Sequence, residues 1–204
     1  MRRVVIGLVV TILVCTAAVA WAQTAEEWLE RGVEYTNSGD YENALECDTK
    51  AIELSPGWAK AYHYRGIDYR DLGRYDEAIA DHTRAIELDP EYARAYNGRA
   101  WTYYLMGDYS RALEDVSIAL NLEPDDPYTL DTRANAYRGL GRFDEAMADI
   151  ERAIELAPNY YWAYYSRGLL YEELGEAEKA KADFEYACEN GEDEACDALE
   201  GLGN

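Results

Sequence analysis

From residue 25 to residue 191 the apolar and polar positions follow one pattern five times over, with a period of 34 residues. Each unit holds two stretches with apolar residues at helical spacing, divided by a glycine and, in four units, closed by a proline. The units start near Ala25, Ala59, Ala93, Pro127 and Tyr161, which predicts spans of 25–58, 59–92, 93–126, 127–160 and 161–191. Tyrosine recurs at Tyr35, Tyr69, Tyr103, Tyr137 and Tyr171, and alanine at Ala44, Ala78, Ala112, Ala146 and Ala180.

Each recurrence has a physical reason. Small residues at Gly32, Gly66, Ala100, Ala134 and Gly168 let the two helices of a unit approach where a longer side chain would hold them apart. The glycines at Gly39, Gly73, Gly107, Gly141 and Gly175 can end the first helix in a left-handed turn. Pro56, Pro90, Pro124 and Pro158 cannot continue the second. Asp126 before Pro127 reads as a helix cap with proline in the first turn.

In these respects the chain resembles the tetratricopeptide repeat family over nearly all of residues 25–191. The second unit, "AYHYRGIDYRDLGRYDEAIADHTRAIELDP", carries the aromatic, small, Tyr, Gly, Ala and Pro positions in the family's order. The resemblance implies an all-α, right-handed α-solenoid of helix-turn-helix repeats, with the first helices lining a concave face. Two positions depart from the pattern. Asp48 stands where a large apolar residue is usual, and Ala177 where an aromatic is usual.

An arginine recurs at Arg31, Arg65, Arg99, Arg133 and Arg167, at a place where the family more often has leucine between the helices of a unit. A charge there is costly unless paired. Asp81, Asp115, Asp149 and Asp183 follow sixteen residues later with the same period, and Cys47 takes that place in the first unit. The expected pairs are therefore Arg65 with Asp81, Arg99 with Asp115, Arg133 with Asp149 and Arg167 with Asp183. Arg31 is left over, with Asp48 as its expected partner.

A terminal repeat needs a cover for its outward apolar face. Residues 192–204 form the expected cap and tail, with a short helix over 193–202 whose apolar side holds Ala195, Ala198, Leu199 and Leu202. Cys188 and Cys196 flank the turn at Asn190 and Gly191, and their spacing is similar to the C-x7-C of cysteine-rich secreted relatives of this fold, which implies a disulfide.

The segment before the repeats changes the setting. Arg2 and Arg3, an apolar run from Val4 to Ala20 and the small residues of Ala20-Trp21-Ala22 form the pattern of a signal peptide over 1–22, with cleavage expected after Ala22. A retained membrane anchor is the rival reading. Val14 beside Cys15 is too bulky for the usual lipobox, and the twin arginines lack the rest of a twin-arginine signal. A secreted or periplasmic protein is expected. Its net charge of −22 becomes −24 once the two arginines leave, which repels nucleic acid and anionic membranes. Cys47, Cys188 and Cys196 would enter an oxidising compartment, where an odd count leaves at least one free or paired outside the chain, and Cys47 reads as a small buried residue.

No catalytic constellation, phosphate loop, metal-ligand cluster or cofactor signature emerges, so no enzyme and no cofactor is expected. His82 reads as a core residue and His63 as a groove residue. Helical register aims at the concave face Lys60, His63, Ile67 and Arg70 from the second unit, and Arg94, Asn97, Trp101 and Tyr104 from the third. The fourth adds Asp131, Asn135 and Arg138, and the fifth Tyr165 and Leu169. Cations and aromatics gathered on an acidic chain suit a protein or peptide partner with acidic groups. Packing between first helices is an equal reading for Tyr104 and Tyr165. The family's carboxylate-gripping set is not reproduced, since Leu29 and Val33 stand at the places concerned. The expected function is an exported scaffold or adaptor with a peptide groove. The alternative is an accessory subunit of an envelope or secretion complex that uses its edges and convex surface.

Overall fold

The computed structural model describes residues 24–202, and the expected signal segment lies outside them. The described residues form helices α1 (Ala25–Asn37), α2 (Tyr41–Leu54), α3 (Ala59–Asp71), α4 (Tyr75–Leu88), α5 (Ala93–Leu105), α6 (Tyr109–Leu122), α7 (Pro127–Gly139), α8 (Phe143–Leu156), α9 (Tyr161–Glu173), α10 (Ala177–Glu189) and α11 (Asp193–Leu202), with no strand among them. None is long and apolar enough to cross a membrane. Each of α1, α3, α5, α7 and α9 packs on the even-numbered helix that follows it. The odd-numbered helices α1, α3, α5, α7 and α9 also touch in series, so they form the inner wall of an α-solenoid.

The turn inside each unit is set by glycine. Gly39, Gly73, Gly107, Gly141 and Gly175 all have φ between 72° and 78°, where a Cβ would be strained. Asp126 accepts from the Thr129 backbone N–H at 2.8 Å and so caps α7, whose first residue is Pro127.

Packing between the helices of a unit follows one size rule. The residues at 48, 82, 116, 150 and 184 are Asp48, His82, Val116, Ile150 and Phe184, all at most 1% exposed. Opposite the rings stand glycines: a Cβ on Gly66 would lie 2.8 Å from the His82 ring, and one on Gly168 would overlap Phe184. Opposite the aliphatic residues stand Ala100 and Ala134, which share their clusters. A ring takes the volume that an alanine methyl would need, so the pair keeps the helix spacing.

The arginines divide four to one. Arg65 donates from Nε and Nη2 to Asp81 at 2.6 and 2.9 Å. The same two-pronged contact joins Arg99 to Asp115 at 2.7 and 2.8 Å, Arg133 to Asp149 at 2.7 and 2.7 Å and Arg167 to Asp183 at 2.7 and 2.8 Å. The carboxylates are buried and the guanidiniums about one-fifth exposed. Two of the pairs also tie units together: Arg65 donates to Thr49 at 3.3 Å and Arg99 to Thr83 at 3.0 Å, each a residue of the preceding unit. A second row of cations (Arg74, Arg111, Arg142 and Lys179) lies over the recurring tyrosines Tyr69, Tyr103, Tyr137 and Tyr171 at 4.3 to 5.0 Å.

Arg31 departs from the expectation. It is exposed and lies over the Trp28 ring at 5.2 Å, and it makes no ion pair with Asp48. The reason lies in Cys47, which replaces the periodic aspartate and offers a guanidinium no acceptor. Asp48, which is fully buried, turns the other way, toward Gly32 and Asp68.

Helix α11 covers the last unit. Ala195 is buried, and Ala198, Leu199 and Leu202 pack with it against Phe184 and Ala187. The Cys188 and Cys196 sulfurs lie at bonding distance across the turn. The small loop predicts that Cys188→Ser with Cys196→Ser will cost about 2–3 kcal/mol in the chain-entropy view. Chemical denaturation should show this as loss of α11 protection before the body of the array, and equal stability of the two forms would contradict it.

Candidate functional site

The concave wall holds a groove of about 600 Å³ lined by His63, Tyr64, Ile67, Arg70, Arg94, Asn97, Gly98, Trp101, Tyr128, Asp131, Tyr160 and Trp162. It spans α3, α5, α7 and the start of α9, so four units contribute. Seven of the residues that helical register aims at this face stand in the lining: His63, Ile67, Arg70, Arg94, Asn97, Trp101 and Asp131. Lys60 is exposed beside it, with its ammonium 5.6 Å from the Tyr64 ring.

The cations differ in availability. Arg70 Nε donates to Asp71 at 2.7 Å. Arg138 donates to Glu173 at 2.6 Å and to the Tyr104 hydroxyl at 2.9 Å, which ties three units together. Lys60 and Arg94 are exposed and enter no ion pair among the described residues. These two can therefore meet a ligand carboxylate without first breaking an internal pair.

His63 is only 7% exposed, so it forms wall rather than contact surface. Its ring stacks at 5.3 Å on His82, which is itself fully buried, and at 5.2 Å on Tyr92. Burial, with Arg70, Arg94 and Lys60 adding repulsion, lowers its pKa to about 3, and the imidazole is neutral near pH 7.

Asp131 sits at the floor, 1% exposed. The Tyr160 hydroxyl donates to its Oδ2 at 3.3 Å, while Oδ1 has no hydrogen-bond partner among the described residues. The Ser166 hydroxyl lies close enough to favour the ionised form without completing a bond to Oδ1. Burial outweighs both hydroxyls and raises the pKa to about 7.

Four register-selected residues are engaged in contacts within the array, and Asn135 alone of them is buried. Asn135 is 3% exposed and donates to the Asp131 carbonyl at 3.0 Å and to Ser166 Oγ at 3.2 Å, so it bridges α7 to α9 instead of facing a ligand. Tyr104 stacks on Trp101 at 4.8 Å and receives Arg138. Tyr165 and Leu169 pack on the Phe184 cluster under the C-terminal cap, where α10 and α11 draw them out of the open groove.

Four aromatic lining residues escape the sequence reading: Tyr64, Tyr128, Tyr160 and Trp162. For two of them the signal was present, because Tyr128 and Trp162 occupy the register of Lys60 and Arg94, one and two periods on. Tyr160 precedes α9 and Tyr64 lies one residue off the inward register, so neither carried such a signal.

Comparison with known proteins agrees with this architecture. Family models described as tetratricopeptide repeat or TPR repeat match residues 25–57, 68–107, 93–126, 134–175 and 163–190. The chain belongs to the tetratricopeptide repeat family. Among solved structures it is similar to TTC0263, a thermophilic TPR protein of Thermus thermophilus, with a TM-score of 0.81 and 20% identity over 88% of this chain and 98% of that one. It is also similar to a tetratricopeptide repeat protein of Parabacteroides merdae, with a TM-score of 0.78 and 26% identity over 89% of this chain and 72% of that one. The first TPR of Spaghetti (RPAP3), bound to the HSP90 peptide SRMEEVD, matches with a TM-score of 0.55 and 25% identity over 58% of this chain and 94% of that one. No curated protein sequence matches the chain.

Proposed function

We propose that this chain is an exported, non-enzymatic scaffold that holds a segment of a partner protein in the groove formed by α3, α5, α7 and α9. The observation that carries the reading is an open cavity of about 600 Å³ with aromatic walls on a chain whose other faces are charge-rich. Aromatic rings give contact area with little side-chain entropy to lose, and Asn97 offers a buried Oδ1 with no partner among the described residues, an acceptor for a peptide N–H. Lys60 and Arg94 supply the positive rim for an acidic group of the partner. The relative whose structure holds a peptide supports the same use of this fold.

Asn135 and Arg138 link units together, so altering them risks the fold. Arg94→Glu with Trp101→Ala alters the groove, with loss of the Trp101 contacts to Tyr104 and Trp162. The expected result is at least a tenfold weaker partner capture in pull-downs, roughly the loss of one hot-spot residue, with a cooperative melting transition retained. Undiminished capture by the folded variant would reject the groove.

A second reading rests on the edge formed by the intra-unit turns. Met106, Leu140 and Leu174 recur there at the 34-residue period, each more than two-fifths exposed. Contact through that edge is the route by which the chain would serve as an accessory subunit in a larger assembly, and it predicts loss of capture on Met106→Glu with Leu140→Glu instead.

A further inference from the structure

The geometry points to a cation subsite inside the groove: the pocket floored by Asp131 and walled by Trp101, Tyr128, Tyr160 and Trp162 receives the ammonium of a lysine side chain on the bound segment. This deepens the groove reading and rests on it.

Three observations converge. Asp131 is nine-tenths buried and more, faces the cavity, and has one carboxylate oxygen without a partner among the described residues. A buried acceptor left open in this way is costly unless a donor arrives. The rings around it meet in two pairs: Tyr128 with Tyr160 at 4.6 Å and Trp101 with Trp162 at 6.3 Å. Elsewhere the chain places its own cations over tyrosines, as Arg142 does over Tyr137 at 4.3 Å, yet among the described residues none lies over these four rings. No cation of the described residues occupies them, although Tyr104 covers one face of Trp101, and a ring face beside a carboxylate is the surroundings an alkylammonium favours.

The groove's own cations do not fill the place. Arg138 is the one that acts on the Asp131 carboxyl, and its guanidinium is held by Glu173 and Tyr104. Burial raises the Asp131 pKa, and an ammonium beside the carboxylate would favour the charged form that burial opposes. With Lys60 and Arg94 at the rim, the preferred segment carries a lysine for the floor and an acidic residue for the edge.

The probe is Nα-acetyl-lysine methylamide, compared with its uncharged counterpart Nα-acetyl-norleucine methylamide. The readout is the fluorine NMR shift of 5-fluorotryptophan at positions 101 and 162 of the full mature chain. The lysine probe should move both signals and bind roughly tenfold tighter than norleucine. Asp131→Asn, a neutral isostere of the protonated acid, should erase that difference, with the melting curve reporting that the variant is folded. Equal binding of the two probes by the unmodified chain overturns the subsite, with no variant needed. So does a lysine preference that survives Asp131→Asn. Either failure leaves the groove itself standing, because norleucine binding and the capture by Arg94→Glu with Trp101→Ala judge it separately.

Discussion

Arg99→Ala should destabilise the array by about 3–5 kcal/mol and lower its melting point by on the order of 10 °C. The variant leaves Asp115, 6% exposed at its side chain, without either guanidinium bond. It also removes the bond from Arg99 to Thr83, and with it a link between the second and third units. An exposed ion pair would cost at most about 1 kcal/mol to lose, so the magnitude distinguishes the two situations. Removing both charges should be far milder, since apolar groups of similar volume often replace a buried pair without loss. Arg99→Leu with Asp115→Leu should therefore recover most of the stability. Denaturant unfolding checks both variants. A single substitution that costs less than the exposed-pair figure would show that solvent already compensates the pair.

Asp48→Leu should have a comparable effect in the opposite direction, raising stability by about 1–4 kcal/mol. Its counterparts one to four periods on are His82, Val116, Ile150 and Phe184, and Gly32 leaves room opposite it as Gly66 and Gly168 do for rings. Asp48 is fully buried, neither of its carboxyl oxygens has a hydrogen-bond donor among the described residues, and Asp68 stands beside it, held by the Thr36 hydroxyl at 2.7 Å. Burial first, then the Asp68 charge and the hydrogen bond that a protonated Asp48 can donate to Asp68, pushes Asp48 up to about 9, with Arg65 opposing and Asp81 adding to the rise. Asp68 is pushed up to about 6, again by burial first.

Both carboxyls are raised above the unfolded value of about 3.9, so the folded chain binds more protons than the unfolded one. Their favourable contribution is complete below about pH 4 and is lost as pH rises through the folded values of about 6 and 9. The difference in stability between Asp48→Leu and the unmodified chain should therefore widen from pH 5 to pH 9. Hydrogen exchange in α1 to α3, followed against pH, would locate the effect. A difference that stays constant across that range would mean that Asp48 is ionised, and accommodated, throughout.

The periodic part of this structure was legible because each recurring residue answers one local demand: glycine for a left-handed turn, alanine for a close approach, aspartate for a guanidinium sixteen residues earlier. The exceptions were harder because they are settled by neighbours outside the period. Arg31 looked like its four counterparts, yet Cys47 gave it no acceptor and it turned outward over Trp28. Asn135 had the register of a groove residue, but α9 stands close enough for its amide to reach Ser166. Tyr165 and Leu169 were aimed inward until α10 and α11 gave them the Phe184 cluster to pack on. Register states a direction from one helix, and only the next helix decides whether that direction opens on solvent.

A partner held against the inner wall between the second and fifth units must lie within reach of residues 94 and 101. The direct measurement is site-specific photocrosslinking of the full chain in cell extract, with a photoreactive phenylalanine at position 94 or 101 and, as a control, at the exposed position 84 of α4. Binding in the groove predicts one shared adduct from positions 94 and 101 and none from position 84. Adducts that form from position 84, or from the Met106 and Leu140 edge, while 94 and 101 stay silent would contradict it.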